Sequence, residues 1–194
     1  MNAYVTGATI KQLREMKALT QAQLSDILGV TAKAVSKWET GKGLPDITLI
    51  EPLARALGVS VAELLSGEVV RNRNRSSNLL RSKFYVCPLC GNILHATGDA
   101  AVTCCGIALP ALEAEPTDAA HTVTVEKVED EYFVTVPHAM TKEHYVSFLA
   151  HVTMDRIQLV KFYPEGNAET RFSLRGGGYL YLYCNKHGLM KQKV

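Results

Sequence analysis

At 194 residues, 47% apolar and 21% charged, the chain has an ordinary globular composition and room for two or three small domains. No apolar run approaches the roughly 18 residues of a membrane span, and no basic segment leads into an apolar one at the N-terminus. A cytoplasmic protein without a membrane partner is expected. The formal charge of +2 is unevenly spread: residues 1–70 balance seven basic against seven acidic side chains, residues 71–83 carry five basic and no acidic ones, and residues 84–194 carry nine and twelve.

From Thr9 to Leu65 the pattern is helical. Ile10, Leu13 and Met16 fall at helical spacing. Thr20 with Gln23 reads as a capping box opening a helix over Ala22–Leu28, which Gly29 closes. Thr31 caps the next helix, which runs to Glu39 and stops at Gly41. After the break Gly41 to Asp46, Ile47–Leu57 forms a fourth helix ended by Gly58, and Ser60 with Glu63 caps a fifth. The two middle helices, joined by Gly29-Val30-Thr31, have helix-turn-helix length and turn chemistry.

The stretch TQAQLSDILGVTAKAVSKWETGKGLPDITLIEPLARALGV resembles the Cro/repressor-type (XRE) helix-turn-helix family over roughly residues 7–67. The resemblance implies double-stranded DNA as a partner, a homodimer, and a second middle helix whose N-terminal residues meet base edges in the major groove. Thr31, Lys33, Ala34, Ser36 and Lys37 are then the candidate DNA contacts, Gln21 is aimed at a phosphate, and Val35 and Trp38 pack inward. The alternative is a bundle that mediates only protein contacts, as the neutrality of residues 1–70 would allow. Arg71, Arg73 and Arg75 lie just downstream, where they would add phosphate attraction.

Residues 68–83 contain little apolar material and no capping pattern, and read as a flexible basic linker. Beyond it, Cys87-Pro-Leu-Cys90-Gly91 and Cys104-Cys105-Gly106, with thirteen residues between Cys90 and Cys104, can converge four thiolates on a tetrahedron. A module of this size cannot bury enough apolar area alone, so the metal would supply folding energy. Two disulfides or four free thiols are the alternatives, and the spacing and compartment disfavour both. Thiolates alone do not choose between iron and zinc. The adjacent Cys104-Cys105 pair, with FYVCPLCGNILHATGDAAVTCCG around it, resembles the desulforedoxin-type iron centre, which implies iron held by Cys87, Cys90, Cys104 and Cys105. His95 is left over as a strand residue.

After Pro116 the helical period gives way to alternating or β-rich runs at 122–128, 132–136, 145–152, 156–163, 170–174 and 178–184, separated by turn-forming clusters. Six or seven short strands predict an immunoglobulin-like antiparallel β-sandwich. The expected architecture is therefore multidomain α and β: a five-helix bundle over 1–67, the linker over 68–83, a small four-cysteine metal module over 84–115 and the sandwich over 116–194. His121, His138, His144 and His187, with Cys184, all fall at strand ends or in loops, where one pole of a sandwich can collect them. Four imidazoles and one thiolate make a five-coordinate set that suits iron and leaves one position open.

HAMTKEHY together with YCNKHGL resembles the iron centre of desulfoferrodoxin and neelaredoxin, the superoxide reductases. The resemblance implies His121, His138, His144 and His187 as equatorial ligands and Cys184 as the axial one, all five forming the catalytic centre. It also implies superoxide as substrate and an electron donor such as a rubredoxin-like protein. Where the family carries Glu-Lys before the first histidine, this sequence has Ala119 and Ala120, and His138-Ala139-Met140 stands for its His-Pro-Met. Lys142 and Lys186 flank ligands and are the cations left to attract an anion. Two functions follow: a superoxide reductase joined to a DNA reader, or a transcriptional regulator whose metal centres sense redox state or iron.

Overall fold

The computed structural model describes residues 3–75, 78–173 and 176–194. The chain divides after Val70 into two compact units.

The first unit is built from α1 (Ala3–Met16), α2 (Gln21–Leu28), α3 (Ala32–Glu39), α4 (Ile47–Leu57) and α5 (Val61–Ser66). Both capping boxes form, Thr20 with Gln23 and Ser60 with Glu63, and Gly29 and Gly58 close their helices in the left-handed conformation at φ 66 and 72. Ile10, Leu24, Val35, Leu53, Leu57 and Leu64 make the core. The first helix starts at Ala3 rather than at Thr9, because Thr6-Gly7-Ala8-Thr9 has weak helical propensity and is helical for a packing reason. Gly7 lets α1 approach the end of α3, where any side chain would run into the Trp38 carbonyl oxygen.

Met16, placed on the apolar face by its spacing, is 45% exposed, and Arg14 is buried instead. Its guanidinium donates to both carboxylate oxygens of Glu39, at 2.5 and 3.0 Å, and to the Leu19 carbonyl at 2.7 Å. The Gln21 carboxamide donates to the same carboxylate at 2.8 Å. Burial pushes the Glu39 carboxyl up, but the hydrogen bonds from Arg14 and Gln21 outweigh it and hold it below the usual carboxylate range. The cluster ties α1, α2 and the last turn of α3 together.

In the second unit a hairpin of β1 (Lys83–Val86) and β2 (Ile93–Ala96) and a smaller one of β3 (Val102–Cys104) and β4 (Ile107–Leu109) carry the four cysteines. They are followed by β5 (Ala114–Pro116), β6 (Thr124–Val128), β7 (Glu131–Thr135), β8 (Val146–Val152), β9 (Ile157–Lys161), β10 (Glu169–Ser173), β11 (Tyr179–Cys184) and β12 (Gly188–Lys193). Three strands in the order β10-β7-β6 face five in the order β5-β12-β11-β8-β9. Leu149, Phe172, Leu180, Leu182 and Met190 fill the space between the sheets. The sandwich is antiparallel except at one edge, where β5 runs parallel to β12. The run expected to end at Leu174 ends at Ser173 in β10; Leu174 lies outside the described residues.

All seven residues of β8 are buried. One face of the strand looks into the sandwich, while Phe148, Ala150 and Val152 on the other are covered by Phe84 of β1 together with Leu79 and Leu80. This corrects the reading of residues 68–83 as a flexible linker, for its end at Leu79–Arg81. The turn Leu79–Arg81 is packed on the sandwich, and the Leu79 amide donates to the Met154 carbonyl at 2.8 Å.

Two outcomes are expected from this packing. Glu39→Ala leaves a buried guanidinium without its partner and should cost about 3–5 kcal/mol in denaturant unfolding of the helical unit. The paired change Arg14→Met with Glu39→Leu should recover most of that loss. His151, in β8, lies against Tyr132 and Phe172 with both ring nitrogens buried and unpartnered, and burial holds its pKa below the ordinary histidine range. The native state therefore binds fewer protons than the unfolded chain, so stability is lost as pH falls below about 6.5. Urea unfolding at pH 7 and pH 5 should show a smaller acid loss in His151→Leu than in the parent.

Candidate metal centres and nucleic-acid interface

Cys184 ends β11 and pairs across the hairpin with Gly188, whose φ of 84 permits the tight return. Cys184 and His187 are thus fixed by one turn. His144 enters from the loop before β8, where the register against β11 shifts so that Val146 pairs with Cys184 while Phe148 pairs with Tyr183. The shift turns Val146 into the inter-sheet core and swings the preceding loop toward the turn. Asn185 ties the two segments together: its backbone amide donates to the Tyr145 carbonyl at 3.1 Å, its Nδ2 to the Glu143 carbonyl at 3.0 Å, and its Oδ1 accepts from the Tyr145 amide at 2.9 Å. His138 follows β7, and His121 closes the short helical turn Ala119–His121 capped by Asp118.

The five donor atoms lie within 4.8 Å of one another. Neighbouring imidazoles contact in a closed circuit, His121 to His138, His138 to His144, His144 to His187 and His187 to His121, with ring centroids 5.2, 4.4, 4.9 and 4.8 Å apart. His138 Nε2 and His144 Nε2 are 3.1 Å apart, and so are His187 Nδ1 and His121 Nε2. The Cys184 sulfur sits 3.2 Å from His144 Nε2, 3.4 Å from His187 Nδ1 and 3.8 Å from His138 Nε2. For bonds of about 2.1 Å to nitrogen and about 2.3 Å to sulfur, donors at right angles stand about 3.0–3.1 Å apart. Most of the contacts are near that spacing, so four imidazoles and one thiolate could hold a single ion, which would leave a sixth position for a small ligand if it were six-coordinate. Burial first, then repulsion from neighbouring histidines, holds His138 below the ordinary range; burial and the charges of His187 and Lys186 do the same for His144. The direction favours the neutral form that a metal ligand requires.

The four cysteines form a second group whose sulfurs also lie within 4.8 Å. Cys90 and Cys104 are 3.6 Å apart and Cys104 and Cys105 are 3.9 Å apart, the edge of a tetrahedron with bonds of about 2.3 Å. Asn92 Nδ2 donates to the Cys104 sulfur at 3.8 Å. Burial raises the Cys87 thiol, but the amides of Cys90 and Leu89 and the neighbouring thiols bring it down to about 7. Hydrogen bonds with Cys90, Cys104 and Cys87 push the Cys105 thiol up to about 12. Such a group becomes fully ionised only around a cation. The tetrahedral edge suits iron and zinc alike. His95 is outside both groups, in β2 with its ring 5.3 Å from that of Phe84.

On α3, Lys33 and Lys37 are exposed, Ala34 and Ser36 half-buried, and Val35 and Trp38 buried. Thr31 caps the helix, its hydroxyl accepting from the Ala34 amide at 3.2 Å. Gln21 is not turned outward as expected, because its carboxamide is drawn onto Glu39. Sequence reasoning missed Asp118, Asn185 and Asn92. The first carried a signal, an Asp three residues ahead of a histidine in a capping position.

The helix-turn-helix family profile matches residues 10–64. A helix-turn-helix-type transcriptional regulator of Bacillus subtilis, YazB, is 31% identical over 68 residues, which are 35% of this chain and 99% of that protein. The chain belongs to the helix-turn-helix transcriptional regulators. Its second unit is desulfoferrodoxin-like. The desulfoferrodoxin of Clostridium acetobutylicum is 33% identical over 60 residues, 31% of this chain and 48% of that protein. The crystal structure of the superoxide reductase from Treponema pallidum superposes with a TM-score of 0.51 at 27% identity, covering 58% of this chain and 98% of that one. The chain spans 35% to 56% of the length of the first curated relatives it matches. The chain thus joins an XRE-type helix-turn-helix domain to a superoxide reductase-like domain.

Metal binding at the four cysteines must displace protons, at least the one from Cys105. Affinity should fall about tenfold per pH unit for each proton displaced as pH drops. Chelator competition followed by absorbance between pH 8 and pH 6 measures the slope.

Proposed function

We propose that this protein binds DNA through its helix-turn-helix unit and reduces superoxide to hydrogen peroxide at an iron held by His121, His138, His144, His187 and Cys184. The observation that carries the reading is the convergence of four imidazoles, in a closed circuit of contacts, and the Cys184 sulfur within 4.8 Å of one another. Iron there would supply one electron to the bound anion. The reaction balances as superoxide, one electron and two protons giving hydrogen peroxide, and the electron comes from a one-electron donor protein such as a rubredoxin-like one. Cys184 would hold the metal through its thiolate, which would push electron density onto it. Lys186 brings a positive charge close enough to act on His144, while Lys142 is drawn to Glu165 at 3.8 Å. Lys186 is therefore the side chain that attracts the anion.

DNA is met by Thr31, Lys33, Ala34, Ser36 and Lys37 on α3, in a homodimer that reads two half-sites. Held by Cys87, Cys90, Cys104 and Cys105, iron would supply a second redox centre and zinc a structural one.

A regulator whose metal centres sense rather than turn over is the second reading. It is favoured by a complete DNA-reading unit and by exposed methyl groups at Ala119 and Ala120, which offer an anion no charge.

Metal analysis comes first, since zinc in both sites would remove both redox readings. Stopped-flow mixing of the reduced, iron-loaded protein with pulsed superoxide should then give stoichiometric peroxide. Lys186→Ala should slow the second-order rate several-fold and flatten its salt dependence. Slow bleaching without peroxide would sink the reductase. For the sensor, reduced and oxidised protein are compared on the DNA upstream of their own gene, and equal affinities would remove it.

A further inference from the structure

Asp118 lies outside both donor sets and touches one of them at a single atom. Its Oδ1 accepts from the backbone amides of Ala120 at 3.0 Å and His121 at 2.9 Å, and stands 2.7 Å from His121 Nδ1. The two amide bonds anchor the carboxylate at the start of the turn Ala119–His121, so the imidazole is held against a fixed acceptor. The His121 ring is buried, and its other nitrogen, Nε2, is the one 3.1 Å from His187 Nδ1. An ionised carboxylate can only accept, so Nδ1 carries the proton and Nε2 presents its lone pair to the centre.

No other donor imidazole has a carboxylate partner among the described residues. His138 makes the contrast, because its outer nitrogen, Nδ1, is buried with no carboxylate beside it and at most a weak bond to the Ala139 backbone. Ala119 and Ala120 add no charge, which makes Asp118 the charged group of the segment leading into His121. Its proximity to the ligand ring means that its charge is felt by whatever that ring binds.

We propose that Asp118 is a positioning residue of the five-donor centre. It locks His121 in the Nδ1–H tautomer before metal arrives, and its negative charge lowers the reduction potential of iron bound there. The proposal rests on reading the five donors as a metal site, and two substitutions separate its parts. Asp118→Ser keeps a cap for the turn but is too short to reach Nδ1, whereas Asp118→Asn keeps an acceptor oxygen for Nδ1–H and removes the charge.

The test titrates the metal-free full-length protein with cobalt(II) against a chelator. The ligand-field bands distinguish a tetrahedral four-thiolate site from a five-coordinate one. Asp118→Ser should weaken the five-coordinate site about 10- to 100-fold and leave the four-thiolate bands unchanged. Asp118→Asn should bind close to the parent's affinity while its iron-loaded form titrates at a higher midpoint potential, a change that a purely structural role would not produce. Parent-like affinity in Asp118→Ser, or an unmoved potential in Asp118→Asn, overturns the proposal. A parent that shows no five-coordinate cobalt defeats the underlying metal reading instead, so the two failures are distinguishable.

Discussion

The turn from Cys184 to Gly188 is the fixed point of the metal-binding unit. A thiol and an imidazole cannot be brought within 3.4 Å by a chain that wanders, and here a hairpin closed by a left-handed glycine holds both. Every other donor has to be carried to that turn. The register shift in β8 and the bonds of Asn185 bring His144, the loop after β7 brings His138, and the capped turn after β5 brings His121. Bringing four basic rings and a sulfur together without a cation is unfavourable. Burial and mutual repulsion show this in the lowered pKa values of His138 and His144, and the rigid sandwich holds the donors in place against it.

The four-cysteine module is held by different physics. Its own core is small, Tyr85, Cys87 and Leu109 with a few partly buried neighbours. What anchors it is the strand before the first cysteine. In β1, Tyr85 faces the module while Phe84 faces the sandwich, its ring tilted against those of Phe148 and Tyr181 at 5.5 and 5.1 Å. One strand thus belongs to two cores, and it explains why β8 is buried on both faces. The elements bearing the two donor sets are mechanically joined through this contact.

In the helical unit the corresponding constraint is the Arg14–Glu39 pair with Gln21. A buried ion pair of this kind contributes little net stability compared with apolar packing, but it is costly to break, and it fixes where the last turn of α3 sits against α1 and α2. The helix that presents Lys33, Ser36 and Lys37 is positioned by a charge cluster on its far side.

The helices, most strands of the sandwich and the candidate donor residues were legible in the sequence. Capping boxes, glycine stops and alternating runs depend on residues a few positions apart, and the spacing of Cys87 to Cys105 and of Cys184 to His187 is local too. Tertiary structure alone decided what depends on distant partners. Arg14 lies 25 residues from Glu39, and Leu79 and Leu80 looked like linker residues until β8 offered them a surface. The parallel pairing of β5 with β12 was equally hidden, because a strand of three residues has too short a period to read. The order of the imidazoles around the centre, which nitrogen each one offers, and the clamp on His121 belong to the same class. A side chain's direction is set by the packing of elements that the chain brings together only once it has folded.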